Sequence, residues 1–261
     1  MNILFVGDIF GNPGRQAIKK LLPELRRKRE VDFVIANCEN SAGGKGVTEK
    51  IAEELFASGC DLLTGGNHIF AQRDSYDFID AETRLVRPVN FPPGAPGRGY
   101  VVHRSAAGPL IGVVNACGRT FMAQHYDDPF RAIDGCVQKI REKTPLIIVD
   151  FHAETTSEKV AMGWYLDGRV TAVLGTHTHI PTADERILHH GTAYMTDVGM
   201  TGPYDSVIGD DKDVILEAIM TQRPRRFEVA APNEVFLCGA LITASMETGV
   251  AERIERIRVP L

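Results

Sequence analysis

Eight side chains of metal-binding or acid–base type stand at the ends of apolar runs in this chain: Asp8, Glu39, Asn40, Asn67, His68, His152, His177 and His179. The runs are Ile3–Val6, Val34–Ala36, Leu62–Leu63, Leu146–Val149 and Ala172–Leu174. Each reads as a buried strand that releases polar ligand types at its C-terminal tip. His177 and His179 are two residues apart. In an extended segment both would point to one side, about 6.5–7 Å apart. That spacing suits two imidazoles reaching for two ions roughly 3.5–4 Å apart, with Thr178 turned away. Taken singly, every residue has a plainer reading. Asp8 caps a helix, Glu39 and Asn40 are loop polar groups, Asn67 sits in a turn, and His152 is a buried imidazole bonded to backbone. Together they leave strands at one sheet edge, where α/β folds place their sites.

The elements that must hold these tips follow from pattern. Arg15–Arg29 is helical, with Ile18, Leu21, Leu22 and Leu25 on one face after an Asn12-Pro13-Gly14 turn. Its basic end, Arg26-Arg27-Lys28-Arg29, is the solvated last turn of a helix, where cations suit the dipole, rather than a nucleic-acid patch. Thr48 caps a second helix with Glu49 in its first turn. Further helices are expected at Arg73–Ile79, Pro129–Glu142, Thr156–Leu166 and Asp213–Met220. Strands are expected at Tyr100–His103, Leu110–Ala116, Arg186–Leu188 and Ala193–Met195. A Pro- and Gly-rich surface loop spans Arg84–Ser105. Strands alternating with helices imply parallel βαβ pairing in the first two-thirds. The end, Glu234–Ala244 and Val250–Val259, reads as an antiparallel pair. Nothing in the 261 residues marks a linker, so a single domain, 1–261, is expected.

The hydrophobic fraction of 44% and charged fraction of 24% are those of an ordinary globular protein. A net charge of −5 argues against a stable nucleic-acid complex and leaves room for a small phosphate-bearing substrate drawn by bound cations. Five cysteines without a C-x-x-C pair suggest reduced thiols and a cytoplasmic protein. No run approaches the roughly 18 apolar residues of a membrane span. The first run lacks a basic flank and meets Asp8, unlike a signal peptide. Gly43-Gly44-Lys45-Gly46-Val47-Thr48 has the wrong glycine spacing for a phosphate loop, and no Ser or Thr follows its Lys. Gly7, Gly11 and Gly14 miss the dinucleotide pattern, and Asp8 would oppose a pyrophosphate. No cysteine sits beside a His–acid pair. His103, His125, His189 and His190 read as surface or structural residues.

Gly7-Asp8, Gly66-Asn67-His68 and Gly175-Thr176-His177-Thr178-His179 resemble the signature blocks of calcineurin-like metallophosphoesterases. The strings Asn40–Gly46, His152–Lys159 and Asp197–Pro203 resemble more closely the bacterial YmdB-like branch, phosphodiesterases acting on cyclic nucleotides. The likeness spans nearly the whole chain. Against the wider superfamily, Phe10 holds a usual His position, and Glu39-Asn40 stands where a bridging Asp is usual; the branch is similar in both respects. The resemblance implies a four-layer α/β/β/α sandwich of two mixed sheets flanked by helices. It implies two metal ions, the first held by Asp8, Glu39, Asn40 and His179. The second would be held by Glu39, Asn67, His152 and His177, with Glu39 bridging. Such ligands fit Fe or Mn, with Zn as a third option. The implied reaction is hydrolysis of 2′,3′-cyclic nucleotides to 3′-nucleotides by a metal-bridging hydroxide, with His68 as general acid or as the residue orienting the bridging carboxylate. Lys45 and Thr201 are candidates for contacting phosphate or ribose, from loops that could equally serve packing or subunit contact. Two alternatives stay open: a broader phosphodiesterase or phosphomonoesterase, and a regulatory protein keeping the site to bind a nucleotide or partner. A homo-oligomer is compatible with all of them.

Overall fold

The computed structural model describes residues 1–261. Strands β1 (Asn2–Val6), β2 (Phe33–Asn37), β3 (Leu62–Thr64) and β4 (Leu85–Val86) pair in parallel, in that spatial order. A second sheet follows from β5 (Tyr100–Arg104), β6 (Leu110–Cys117), β7 (Ile147–His152), β8 (Ala172–Thr176), β9 (Arg186–Ile187) and β10 (Ala193–Met195). Its centre β6-β7-β8-β10 is parallel, with β5 and β9 antiparallel at the edges. The chain then returns to the first sheet. There β12 (Val235–Ala244) lies antiparallel to β1, with β11 (Gly202–Pro203) and β13 (Ala251–Pro260) also antiparallel to β12. First and last strands thus share one sheet of seven strands, facing one of six.

Alternation along β1 shows how the layers are built. Leu4 and Val6 pack on Ile18 and Leu22 of α1 (Gly11–Lys28) and Leu55 of α2 (Glu49–Ala57). Ile3 and Phe5, on the other face, pack on Ile111, Val113, Ile148 and Leu174 of the second sheet. Beyond that sheet, Val114 and Val149 meet Ile133 of α4 (Pro129–Arg141) and Met162 of α5 (Thr156–Leu166). Three apolar layers separate four layers of structure, the expected α/β/β/α sandwich. Strands covered on both faces need apolar residues at both parities, hence the unbroken runs in the sequence. Each such buried side chain contributes about 1.5–3 kcal/mol.

Most boundaries fall where pattern placed them. The start of α1 does not: it begins at Gly11, and Asn12-Pro13-Gly14 is its first turn rather than a preceding turn. Proline is tolerated there because the first-turn N–H groups have no helical partner to lose. The Arg84–Ser105 loop holds β4 at its start, so it contributes a short edge strand to the first sheet. The remaining helices are α3 (Tyr76–Ala81), entered through a 3₁₀ turn at Arg73–Ser75, and α6 (Lys212–Thr221). No helix is long and apolar enough to cross a membrane. At the edge where strand tips gather, Gly7 lies so close to Gly199 that a Cβ would collide with the Gly199 carbonyl.

Candidate metal centre

Both sheets feed the site. From the first come Asp8 after β1, Glu39 and Asn40 after β2, and Asn67 and His68 after β3; from the second come His152 at the end of β7 and His177 and His179 after β8. Parallel strands end at the same edge, so residues far apart in sequence meet there.

His152 Nε2 is the focus of one half. It lies 3.0 Å from Glu39 Oε1, 2.8 Å from Asn67 Oδ1 and 3.0 Å from His177 Nδ1. Its other nitrogen, Nδ1, lies 2.9 Å from Thr176 Oγ1, which itself donates to Asp150 Oδ1 at 2.7 Å. That hydroxyl has already given its proton, so it accepts from Nδ1–H and turns Nε2 inward. His177 Nε2 lies 3.1 Å from Glu154 Oε2, which leaves His177 Nδ1 facing inward too. Oxygen and nitrogen lone pairs therefore converge on one point, and only positive charge reconciles them. Among the protein's own groups a proton meets this demand: burial disfavours charge at His152, yet Glu39, Asp8 and Asp150 outweigh it and raise its pKa to about 9. Burial and the neighbouring His152 charge lower His177 to about 3. Burial would likewise push Glu39 up, but His152 and His68 hold it well below its ordinary value as a carboxylate. Ligand atoms of Glu39, His152 and His177 all lie within 4.8 Å of one another.

The other half is built around Asp8. Its Oδ2 accepts from the His177 backbone N–H at 3.2 Å, while its Oδ1 is buried with no hydrogen-bond partner. His152 Nδ1 and His179 Nε2 approach that oxygen at 3.8 and 3.9 Å. Burial raises the Asp8 pKa, against the pull of the two histidines. His179 Nδ1 donates to the Ile208 carbonyl at 2.7 Å, which aims Nε2 at Asp8 and Asn40. An orphaned buried carboxylate oxygen beside an imidazole lone pair fits a second cation. Asn40 enters by its amide nitrogen, 3.1 Å from His179 Nε2 and 3.2 Å from Glu39 Oε1, and its oxygen faces His68 Nδ1 at 3.0 Å. Oxygen ligation by Asn40 requires the amide to turn over. Phe10, in the place where the superfamily often has histidine, packs edge-on against the His179 ring at 5.4 Å.

Two expectations change. His177 and His179 do not lie in an extended segment, since both have left-handed backbones with φ of 99° and 66°. The cause is Asp197: its Oδ2 accepts from the Thr178 N–H at 3.1 Å and the Thr178 hydroxyl at 2.7 Å. The imidazoles still reach different neighbours, by a twisted route. Thr201 does not face the site. It is fully buried, and its hydroxyl bonds the backbone oxygen and nitrogen of Cys238, each at 3.1 Å. Lys45 and His68 do line the cavity over the cluster, about 700 Å³ in volume. His68 donates its backbone N–H to Glu39 Oε2 at 3.0 Å, and its Nε2 has no protein partner. Gly66 lies so close to Glu39 Oε2 and His152 Nε2 that a Cβ would strike both.

Sequence reasoning missed the groups that orient the site, among them Asp150, Thr176, Glu154, Lys159 and Asp197. Asp150 ends an apolar run two residues before His152, and Glu154, Lys159 and Asp197 lie inside the strings that carry the resemblance. Of the histidines set aside, His190 pairs with Asp167 at 2.9 Å, away from the site.

The sequence matches the YmdB-like protein family over residues 4–257. This chain belongs to that family. A relative in Bacillus subtilis (strain 168), named 2′,3′-cyclic-nucleotide 2′-phosphodiesterase, is 49% identical over 259 residues, covering 99% of this chain and 97% of the relative. A crystal structure of a hypothetical protein from Thermus thermophilus superposes with TM-score 0.92 at 40% identity, covering 100% of this chain and 99% of that one. One described as a novel phosphatase from Mycoplasma pneumoniae superposes with TM-score 0.93 at 35% identity, covering 100% and 93%.

Proposed function

We propose that this YmdB-like protein is a two-metal phosphodiesterase that opens 2′,3′-cyclic nucleotides at the 2′ oxygen and leaves a 3′-nucleotide. The observation that carries this reading is the convergence of Asp8, Glu39, Asn67, His152, His177 and His179 from both sheets, with ligand atoms gathered round His152 Nε2 and the Asp8 Oδ1 left without a hydrogen-bond partner. The name of the B. subtilis relative supplies the substrate class.

Glu39, Asn67, His152 and His177 would hold one ion. Asp8, Glu39, His179 and a turned-over Asn40 would hold the other, with Glu39 shared. Carboxylate, amide and imidazole donors without thiolate suit Fe or Mn, with Zn as the third option. Such a pair of cations, when bound, acidifies a water to serve as nucleophile and neutralises charge on the phosphoryl oxygens. The protein's own groups do the rest. Asp150 and Thr176 fix the His152 tautomer, the kind of support that sets ligand geometry. Asn40 faces His68 Nδ1 at 3.0 Å; once turned over it presents its amide N–H there, so Nδ1 accepts and the His68 proton sits on Nε2 toward the cavity, where it protonates the departing 2′ oxygen. Acid assistance of this kind contributes about 10²–10⁴-fold. Lys45, on the same cavity, supplies positive charge for the phosphate.

The phosphatase description of the M. pneumoniae structure favours a second reading, a phosphomonoesterase on the same metal core. Elemental analysis of the purified protein should give two transition-metal ions per chain. Turnover of 2′,3′-cyclic AMP should exceed that of 3′,5′-cyclic AMP and of a phosphomonoester. Preference for the monoester would overturn the phosphodiesterase reading.

A further inference from the structure

The segment from Gln222 to Asn233, between α6 and β12, has no role in the scheme above, yet Arg225, Arg226 and Phe227 line the same cavity as His68 and His179. Its second half is tied down. The Glu228 carbonyl accepts from Asp211 N–H at 2.8 Å, and Ala230 N–H donates to the Gly209 carbonyl at 2.9 Å. Val229 packs against Gly11, where a Cβ would collide with its methyl groups. Phe227 is one residue before the first of these ties, so its position over the cavity is fixed from behind. Phe227 is nevertheless 53% exposed, and its ring has no aromatic partner. Arg225 is engaged by Glu217 at 3.2 Å, while Arg226 has no ion pair. An exposed ring and an unpaired guanidinium, adjacent in sequence beside a phosphate-directed centre, are the two halves of nucleotide recognition. The ring offers a face to a base, and the guanidinium a planar fork to phosphate oxygens. Glu154 and Asp210 line the cavity too, so a cation at its rim also sets where an anion can settle.

We propose that Arg226 and Phe227 are specificity-determining residues of this enzyme: Phe227 stacks on the nucleobase and Arg226 contacts the substrate phosphate. The assignment rests on the phosphodiesterase reading above. It makes the protein selective for nucleoside cyclic phosphates over cyclic phosphates lacking a base.

The test compares 2′,3′-cyclic AMP with base-free methyl riboside 2′,3′-cyclic phosphate, using the metal-loaded full chain and the variants Phe227→Ala, Phe227→Trp and Arg226→Gln. Phe227→Ala should raise KM for 2′,3′-cyclic AMP about ten-fold at unchanged kcat, from the usual strength of base–aromatic stacking. It should leave KM for the base-free compound unchanged, and Phe227→Trp should retain the wild-type KM. Arg226→Gln should raise KM for both compounds. Calorimetric Kd values for 3′-AMP should weaken in parallel, with metal content unaltered. A Phe227→Ala KM that is unchanged, or raised equally for both compounds, overturns the stacking role. An Arg226→Gln KM unchanged for both overturns the phosphate role. Absence of any 2′,3′-cyclic AMP turnover by the unaltered protein overturns the phosphodiesterase reading, and this assignment falls with it.

Discussion

Lys159 reaches from α5 to within 2.7 Å of Asp197, and neither side chain is more than 1% exposed. The same Asp197 oxygen holds Thr178, so this buried ion pair braces the turn that carries His177 and His179. Left-handed backbone at a non-glycine residue costs of order 1–3 kcal/mol, so the turn needs such a brace. Removing one partner of a buried pair typically costs about 3–5 kcal/mol. Lys159→Met is therefore expected to lower the denaturation midpoint and reduce bound metal together. Full metal content at an unchanged midpoint would remove Lys159 from this role.

The proposed centre would draw its ligands from both sheets, so bound cations would fasten one sheet to the other. A ligand held at a hundred times its Kd stabilises a fold by about 2.7 kcal/mol. A chelator should accordingly lower the melting temperature of the wild-type protein. Glu39→Gln, lacking the shared carboxylate, should melt alike with and without chelator. Equal chelator sensitivity in the two proteins would count against Glu39 as the shared ligand.

His68 lines the cavity without being placed among the ligands. His68→Ala is expected to lower kcat by about 10²–10⁴-fold while metal content stays at the wild-type level. A parallel loss of metal would instead assign His68 to positioning Glu39 and Asn40.

Asp184 gives a pH prediction outside the centre. Burial would raise its pKa, but hydrogen bonds from Thr182 and Thr196 outweigh burial and hold it below the ordinary 3.8. A depressed carboxyl contributes stability that is fully present above its unfolded value and lost as pH falls through its folded one. Asp184→Asn should thus flatten the loss of stability below about pH 4, and urea midpoints at about pH 3 and about pH 6 would show it.

How much of this was legible in the sequence depended on whether a residue's partners lie along its own run or across the fold. The strands were legible because β1, β2, β7 and β8 are covered on both faces and must be apolar throughout. The residues proposed as ligands were legible as a group because each follows a buried strand at its tip. The backbone of the His177–His179 turn was not, since Asp197 and Lys159 impose it from other elements. Thr201 misled for a similar reason: its hydroxyl is consumed by Cys238, a residue of β12 that the local pattern does not bring near. Arg226 and Phe227 sit in an exposed stretch without periodicity, and only the cavity they border distinguishes them.

Where Gly7 touches Gly199, the tip of β1 lies backbone on backbone against the loop between β10 and β11, with no room for a side chain. A side chain at position 7 would therefore push its neighbour Asp8 away from the His177 backbone N–H that it accepts from.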